Sequence, residues 1–320
     1  MIAALVILTA SLVFVFPAMS AEVHDASGIT RLGDYLLLVG DKDPGRFYRF
    51  PVPSDSGRAI VIDSERAMPV DLPSARLAID LEGIDVLADD RVVVLSERLR
   101  ALIGMDGVIA QYGTPLTEFG NRGLEGVAVR RLSSGTSKVA VLWEGGYPEY
   151  QAVPEQLRSI VGHLPLRPVI WMHELTKGQT GVHVRDDGKQ GVAPQTISLD
   201  VQEIGDDPPP KAQRFRASDL VWHELNKHTH ELGFIVLLSS ENSPLEGNRE
   251  FQYQWLQRFD MEGQRVGVPL DLNEVLPEGL RQRNWEGLGW YEVGKRLVMV
   301  HDSPPAGIPT AYVIDMPEDW

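Results

Sequence analysis

The sequence contains no cysteine among its 320 residues. Disulfide bonds, thiolate nucleophiles, cysteine-based zinc sites and iron–sulfur clusters are therefore excluded. Basic residues are also scarce, because 30 Lys and Arg stand against 45 Asp and Glu and give a formal net charge of −15. Such a chain repels nucleic acid and anionic membrane surfaces. The surplus of acidic groups suits divalent cations or cationic ligands, although solubility alone also explains it.

Two further absences narrow the class of protein. No amphipathic helix of useful length is predicted after residue 21, because apolar residues occur in short runs between turn residues. The sequence also lacks a Gly-x-Ser-x-Gly elbow, a phosphate loop ending in Gly-Lys-Ser/Thr and a dinucleotide fingerprint. These absences argue against serine hydrolases of the α/β type, kinases and dehydrogenases.

The N-terminus is apolar, and its first charged side chain is Glu22. Pro17 and the small residues Ala18, Ser20 and Ala21 follow the apolar run and resemble a signal-peptidase cleavage site, although no basic residue precedes the run. We therefore predict a signal peptide over residues 1–20 and one domain over 21–320, located in the periplasm or secreted. An uncleaved membrane anchor is the alternative, since about 18 apolar residues can nearly span a bilayer.

A short motif recurs five times along the chain. Each copy contains a strand that begins with a small or acidic residue, then a polar turn, and then an apolar strand closed by an acid. The opening residues are Ser27, Glu82, Glu125, Ser218 and Glu286. With the strand-like runs that follow, each copy supplies about four antiparallel strands, which is the unit of a propeller blade. We predict an all-β propeller of five four-stranded blades, with six as the alternative, closed by the N-terminal segment Glu22–Asp25.

Two long segments interrupt this repeat, near residues 145–168 and 178–194. Both exceed the length of a hairpin loop. We expect them to lie over one face of the disc, where binding loops tend to occur.

The copies that open with an acid should bring Glu82, Glu125 and Glu286 together, because the first strand of each blade lines the central channel. Converging carboxylates need a cation or hydrogen-bond donors to compensate their charge. Oxygen ligands of this kind suit Ca²⁺. Hydrogen bonds to the backbone of the neighbouring blade are the open alternative. The glycine after each acid predicts close strand packing or a bulge.

A second set of acids closes the apolar strands and should lie along one rim of the disc. The set comprises Asp41, Asp43, Glu97, Glu144, Glu241 and Asp302. We add Glu97 and Glu241 to the candidate metal ligands, while a role in turns and solubility remains open for the whole set.

Arginines lie close to both sets of acids. Arg122 and Arg283 each precede an opening Glu by three positions, and Arg98 follows Glu97 directly. Guanidinium groups in these places could bind an anionic ligand, for example a phosphorylated one, or they could pair with the adjacent acids.

These motifs resemble those of a known family. Asp80–Ile84, Asn121–Ala128 and Trp285–Leu288 are similar to the blade openings of the SdiA-regulated family of exported bacterial propellers and of the related esterase-like phytases. The resemblance implies a calcium-associated propeller, with phosphoester hydrolysis possible in the phytase-like branch. It carries calcium onto Glu82, Glu125 and Glu286 and transfers no nucleophile.

Two functions stay open at this point. The first is a non-catalytic, calcium-associated propeller of the cell envelope that binds a small anionic ligand, an envelope protein or a glycan. The alternative is a metal-dependent phosphoester or ester hydrolase, in which the channel carboxylates hold Ca²⁺ and the arginines bind the anion.

Overall fold

We describe the protein from a computed structural model. The described residues are 23, 25–53, 57–73, 80–113, 123–133, 135–145, 167–185, 189–201, 215–226, 228–241, 251–281, 283–301, 309–318 and 320. The predicted signal peptide lies outside them. Within the described residues, no helix has the length and apolar character needed to cross a lipid bilayer.

Short strands account for nearly all of the regular structure. The first strands in chain order are β1 (Ala26–Leu32), β2 (Tyr35–Gly40), β3 (Arg46–Pro51), β4 (Ala59–Val61), β5 (Met68–Asp71), β6 (Leu81–Val86), β7 (Val92–Ser96), β8 (Ala101–Gly104), β9 (Gly107–Tyr112), β10 (Leu124–Ser133) and β11 (Thr136–Trp143). They are followed by β12 (Val169–Thr176), β13 (Val182–Val184), β14 (Gln195–Ser198), β15 (Phe215–Asn226), β16 (Glu231–Glu241), β17 (Phe251–Asp260), β18 (Arg265–Asp271), β19 (Trp285–Glu292), β20 (Arg296–His301) and β21 (Thr310–Asp315). A one-turn helix, α1 (Leu272–Val275), is capped by the Asp271 side chain, and a 3-10 turn covers Glu278–Leu280.

The strands form five small sheets, which are the five blades of a β-propeller. The sheet orders are β1-β2-β3-β5, β13-β9-β8-β7-β6, β10-β11-β12-β14, β15-β16-β17-β18 and β19-β20-β21-β4. The first strands β1, β6, β10, β15 and β19 contact one another in chain order, and β19 contacts β1. This closed ring confirms the predicted all-β propeller and the number of five blades.

Apolar side chains from adjacent blades meet between the sheets. In β7, Val93 packs toward the third blade, while its neighbour Val94 packs toward the first blade. A strand buried on both faces needs apolar residues at successive positions, which explains the continuous run in this strand.

The last blade is closed by a strand from early in the chain, but not by the predicted residues. Strand β4 pairs antiparallel with β21, and its Ile60 packs among apolar residues of the first and last blades. Of the predicted segment Glu22–Asp25, only Val23 and Asp25 are described, and both lie outside the strands. The φ angle of Asp25 is 46°, which departs from extended backbone, so β1 begins at the next residue, Ala26.

The two interrupting segments have different outcomes. In segment 178–194, Val182–Val184 forms β13 and pairs in parallel with β9 of the preceding blade, so the predicted loop over a face is wrong here. The pairing has a physical reason, because β13 covers an outer strand whose backbone groups would otherwise lack partners. Of segment 145–168, residues 146–166 lie outside the described residues.

Candidate functional site

Each first strand carries a β-bulge at the residue that opens the sequence motif. In β6 the register shifts between Leu81 and Gly83, so that Glu82 has no partner across the strand pair. Equivalent shifts occur across Ser27, Glu125, Ser218 and Glu286. A bulge redirects the side chain of the extra residue. The bulge that the sequence offered, beside close packing, for the three acid-opening copies is present there, and the two serine-opening copies carry it as well.

The glycine that follows the bulge allows the first strands to approach closely. A Cβ atom on Gly83 would lie 2.9 Å from the backbone nitrogen of Val127, and one on Gly126 would lie 2.5 Å from Asp219 Oδ1. Neither position tolerates a side chain without movement of the neighbouring strand. The narrow channel of the propeller therefore depends on these glycines.

Five glutamates gather at the bulged end of the channel. We call them the mouth carboxylates; they are Glu82, Glu97, Glu125, Glu144 and Glu286. Glu97, Glu125 and Glu144 are buried, and one oxygen of each lies within 4.8 Å of the others. The two sets of acids that the sequence separated into channel and rim thus form one cluster. Glu97 and Glu144, which were predicted at the rim of one mouth, lie in this cluster together with a channel acid.

The guanidinium group of Arg216 lies among these acids. Arg216 Nε is 3.2 Å from Glu144 Oε2, and its Nη2 is 3.5 Å from both Glu125 Oε2 and Glu286 Oε1. Sequence reasoning missed Arg216. The available signal was its place two residues before Ser218, where the other copies carry Asp25, Asp80, Gly123 and Asn284.

Burial and mutual repulsion raise the pKa of two mouth carboxylates. Burial is the largest cause for Glu82, followed by the charges of Glu286 and Glu97, and these raise its pKa well above the ordinary value. Burial followed by the charges of Glu144 and Glu82 does the same for the pKa of Glu125. Arg216 lowers both pKa values but does not cancel these effects. The cluster therefore favours bound protons or a bound cation.

A buried hydroxyl occupies the fourth blade's bulge. Ser218 is 1% exposed and stands at the position that Glu125 occupies in the third blade. Its Oγ is buried and has no hydrogen-bond partner among the described residues. A buried polar oxygen of this kind is normally satisfied by protein, water or an ion.

Two aspartates make hydrogen-bonded locks between blades. Asp85 Oδ2 accepts a hydrogen bond from Val129 N at 2.6 Å, which joins β6 to β10. Asp219 Oδ2 accepts from Leu288 N at 2.7 Å, which joins β15 to β19. These contacts fulfil the locking role that the sequence left open for the glutamates.

The remaining sequence-predicted residues have separate outcomes. Arg98 is exposed, and its Nε donates to Asp80 Oδ2 at 2.7 Å, so it pairs with a neighbouring acid. Arg283 is half-buried just before β19. Glu241 is the last residue of β16, and its side chain lies outside the described part of the structure. Arg122 and Asp302 also lie outside it.

Asp41 and Asp43 complete the set of strand-closing acids. Asp41 follows β2, and its charge helps to raise the pKa of Glu82. Asp43 is buried beside Tyr48 and helps to raise the pKa of that phenol, for which burial is the largest cause.

The fold and the site together define the class: a five-bladed β-propeller with a buried carboxylate cluster at one mouth of its channel. No family model matches the sequence. No curated protein matches it either. The resemblance to the SdiA-regulated and phytase-like propellers therefore stays a prediction.

Several solved structures match the chain over most of its length, at 10% identity and with TM-scores of 0.40 or less. A putative gluconolactonase is 10% identical with a TM-score of 0.40, and the alignment covers 94% of each chain. Streptogramin B lyase is 10% identical, with 93% of this chain and 86% of the lyase covered and a TM-score of 0.38. The calcium-binding protein regucalcin from Agrobacterium tumefaciens is 10% identical, with 92% of each chain covered and a TM-score of 0.37. At this level of similarity, the functional argument rests on the site.

Proposed function

We propose that the protein is an exported, calcium-binding β-propeller of the cell envelope, in which the cation lies among the mouth carboxylates. One observation carries the proposal: oxygens of Glu97, Glu125 and Glu144, all buried, lie within 4.8 Å of one another. Calcium–oxygen distances of about 2.3–2.6 Å place ligands on opposite sides of the ion about 5 Å apart. The spacing of the three oxygens therefore suits one shared ion.

The donor set favours a hard cation. The three converging groups are all carboxylates, and calcium is bound by six to eight oxygens, whereas zinc prefers nitrogen and sulfur. Arg216 pairs with three of the mouth carboxylates, and the pKa of Glu82 and of Glu125 stays raised in its presence, so one guanidinium does not compensate the cluster. Ser218 Oγ supplies a further buried oxygen at an equivalent bulge. Water would complete the coordination.

Export and partner binding rest on other parts of the sequence. The apolar run before Glu22 supports a location in the periplasm or outside the cell, with an N-terminal anchor as the alternative. The mouth carboxylates Glu97, Glu125 and Glu144 lie at one face of the propeller. We propose that this face binds a small anionic ligand, an envelope protein or a glycan. We also propose distant kinship with the SdiA-regulated propellers, supported by the motifs around Glu82, Glu125 and Glu286.

Calcium binding is tested by isothermal titration calorimetry and thermal unfolding after treatment with a chelator. A ligand that binds only the native state at 100 times its Kd stabilises the protein by about 2.7 kcal/mol, which is a rise of several degrees in Tm. Glu125→Gln should abolish the calcium-dependent rise. The matched control is Glu262→Gln, an exposed residue in the turn between β17 and β18, which should leave it unchanged.

The pH dependence of this titration gives a second check. Because the pKa of Glu82 and of Glu125 is raised, protons compete with the cation, and calcium affinity should fall as the pH is lowered. A flat titration with no heat and no shift in Tm at any pH would refute the calcium site.

A metal-dependent ester or phosphoester hydrolase is the second candidate. The observation that favours it is the raised pKa of Glu82, whose carboxyl group lies near Arg216. A protonated carboxyl group could act as a general acid next to a guanidinium group that binds the anion. The test is a panel of phosphomonoesters and carboxylic esters, assayed with and without calcium. Calcium-dependent turnover that Glu82→Gln abolishes supports the hydrolase, while calcium binding without turnover supports the binding protein alone.

A further inference from the structure

The opposite end of the channel opens into a cavity of about 740 Å³, which we call the funnel. Its wall consists of the later parts of the same five first strands. Aromatic residues of the wall include Trp222, His223, Trp290 and Tyr291. The volume lies within the range of about 300–1,000 Å³ that small-molecule sites occupy.

The two indole rings of the funnel are held in place by hydrogen bonds to backbone carbonyls. Trp222 Nε1 donates to the carbonyl oxygen of Ala128 at 3.2 Å, and Trp290 Nε1 donates to the carbonyl oxygen of Trp222 at 2.9 Å. Both bonds run between neighbouring blades. The rings are therefore ordered before any ligand arrives, which lowers the entropic cost of binding.

The acids of the wall are already engaged. Asp85 accepts hydrogen bonds from Thr30 Oγ1 at 3.3 Å, from Val86 N at 2.7 Å and from Val129 N at 2.6 Å. Glu224 Oε1 lies 2.6 Å from His230 Nδ1. Neither carboxylate needs a cationic ligand to satisfy it.

The arginines of the wall differ from one another. Arg31 donates to the carbonyl oxygens of Gly33 and Tyr291, at 2.9 and 2.7 Å. Arg131 Nη2 donates to Asp90 Oδ1 at 2.8 Å. Arg130 is half-buried, and no hydrogen bond or ion pair joins its guanidinium group to the described part of the chain. Desolvation without a partner is costly for a charged group.

We propose that this funnel binds a small organic anion with a planar apolar body. Its carboxylate, sulfonate or phosphate group pairs with Arg130, and its ring lies against Trp222 and Trp290. The charges around the aromatic wall favour an anionic ligand over a cationic one, since Lys138 Nζ lies 6.0 Å from the centre of the Trp222 ring and the three arginines of the wall outnumber its two acids, Asp85 and Glu224. This site is separate from the mouth carboxylates and does not depend on calcium.

The test uses 8-anilinonaphthalene-1-sulfonate as the anionic probe and N-phenyl-1-naphthylamine as its uncharged counterpart. We expect one sulfonate dye per protein molecule, bound more tightly than the uncharged dye. Arg130→Gln should weaken binding of the sulfonate about tenfold or more, because it removes a charge-assisted hydrogen bond. Its effect on the uncharged dye should be small. Trp290→Leu should weaken both dyes.

Arg131→Gln is the matched control, because it removes the same charge one residue along β10 from a guanidinium group that Asp90 already holds. It should change binding of the sulfonate by less than about threefold. Equal losses in the two arginine variants would mean that only long-range charge matters, and that result overturns the proposal. Equal binding of the two dyes to the unmodified protein, or several sulfonate dyes per molecule, overturns it as well. Glu125→Gln at the other mouth should leave dye binding unchanged, so this result is independent of the calcium test.

Discussion

The two ends of the central channel are built from the same five strands and have opposite chemical character. At the bulged end, five glutamates surround Arg216, and the pKa values of Glu82 and Glu125 are raised. At the funnel end, aromatic rings and arginines line the wall, and its Asp85 is bound by backbone and hydroxyl donors. A bulge projects side chains that a regular strand would place between blades, so one strand can supply two different sites.

Loss of the guanidinium group of Arg216 at the acidic mouth should have the largest effect. Arg216→Met leaves the mouth carboxylates without their guanidinium, and removing one partner of a buried ion pair costs about 3–5 kcal/mol. We expect the free energy of unfolding at pH 7 to fall by that order and to recover partly with calcium. Urea unfolding measures it. If the variant is as stable as the parent without calcium, Arg216 is not the counter-ion of the cluster.

Adding a methyl group at Gly126, where the first strands approach closely between the two ends, should lower the free energy of unfolding slightly less. A Cβ atom on Gly126 would lie 2.5 Å from Asp219 Oδ1 and 2.9 Å from Asp219 Cα, so Gly126→Ala must displace the carboxylate that binds Leu288 N. Overpacking and loss of that hydrogen bond should together cost about 3 kcal/mol. Thermal unfolding should show this loss, and both calcium and dye should bind more weakly. Gly279→Ala is the control, because nothing lies within 4 Å of its added Cβ.

The two ends of the channel should contribute differently to the pH dependence of the free energy of unfolding. Burial raises the pKa of Asp85 from its ordinary value of 3.8 to about 6. The folded state therefore favours protonated Asp85. This preference adds fully to the free energy of unfolding below pH 4 and is lost as the pH rises through 6. The difference corresponds to roughly 3 kcal/mol at most. Asp85→Asn should flatten stability between pH 4 and 6 in urea unfolding. Calcium should reduce the pH dependence that comes from the mouth carboxylates and leave the part due to Asp85. A profile that Asp85→Asn does not change would contradict this assignment.

Removing one charged side chain at either end should change the free energy of unfolding only slightly, and by a different amount at each end. Without calcium, Glu125→Gln relieves repulsion among the mouth carboxylates and should raise the free energy of unfolding by about 1 kcal/mol. Arg130→Gln in the funnel breaks no contact with the described residues and should change it by less than about 0.5 kcal/mol. Chemical unfolding of both variants beside the parent protein tests this. A destabilised Glu125→Gln variant would show that this carboxylate stabilises the empty mouth.

Local pattern was enough to predict the blades and the bulged acids. The opening residues stand out because each is followed by a short strand and a turn, and four of them by glycine, as at Glu82-Gly83. Strand pairing in a hairpin and the position of a bulge depend on neighbours in sequence. The five-bladed ring and the convergence of Glu82, Glu125 and Glu286 at one end therefore followed from the sequence.

The sequence could not show which distant segments pair. Closure by Ala59–Val61 instead of Glu22–Asp25, and the addition of Val182–Val184 to the second blade, depend on which edge strands lie nearby in space. Local propensity carries no information about such neighbours. The sequence placed Glu97 at one mouth of the disc among the candidate metal ligands, but that it shares one cluster with the channel acids was visible only in the structure.

The sequence by itself determined the five repeated blades, the net negative charge and the end of the channel at which the acids gather. Only the tertiary structure decided that Glu97 and Glu144 join the cluster, that Arg216 from another blade is their counter-ion, and that Arg130 faces an aromatic funnel. The physical reason is distance. Charges act through space over a few ångströms, and the residues that share one mouth are separated along the chain by tens to hundreds of positions.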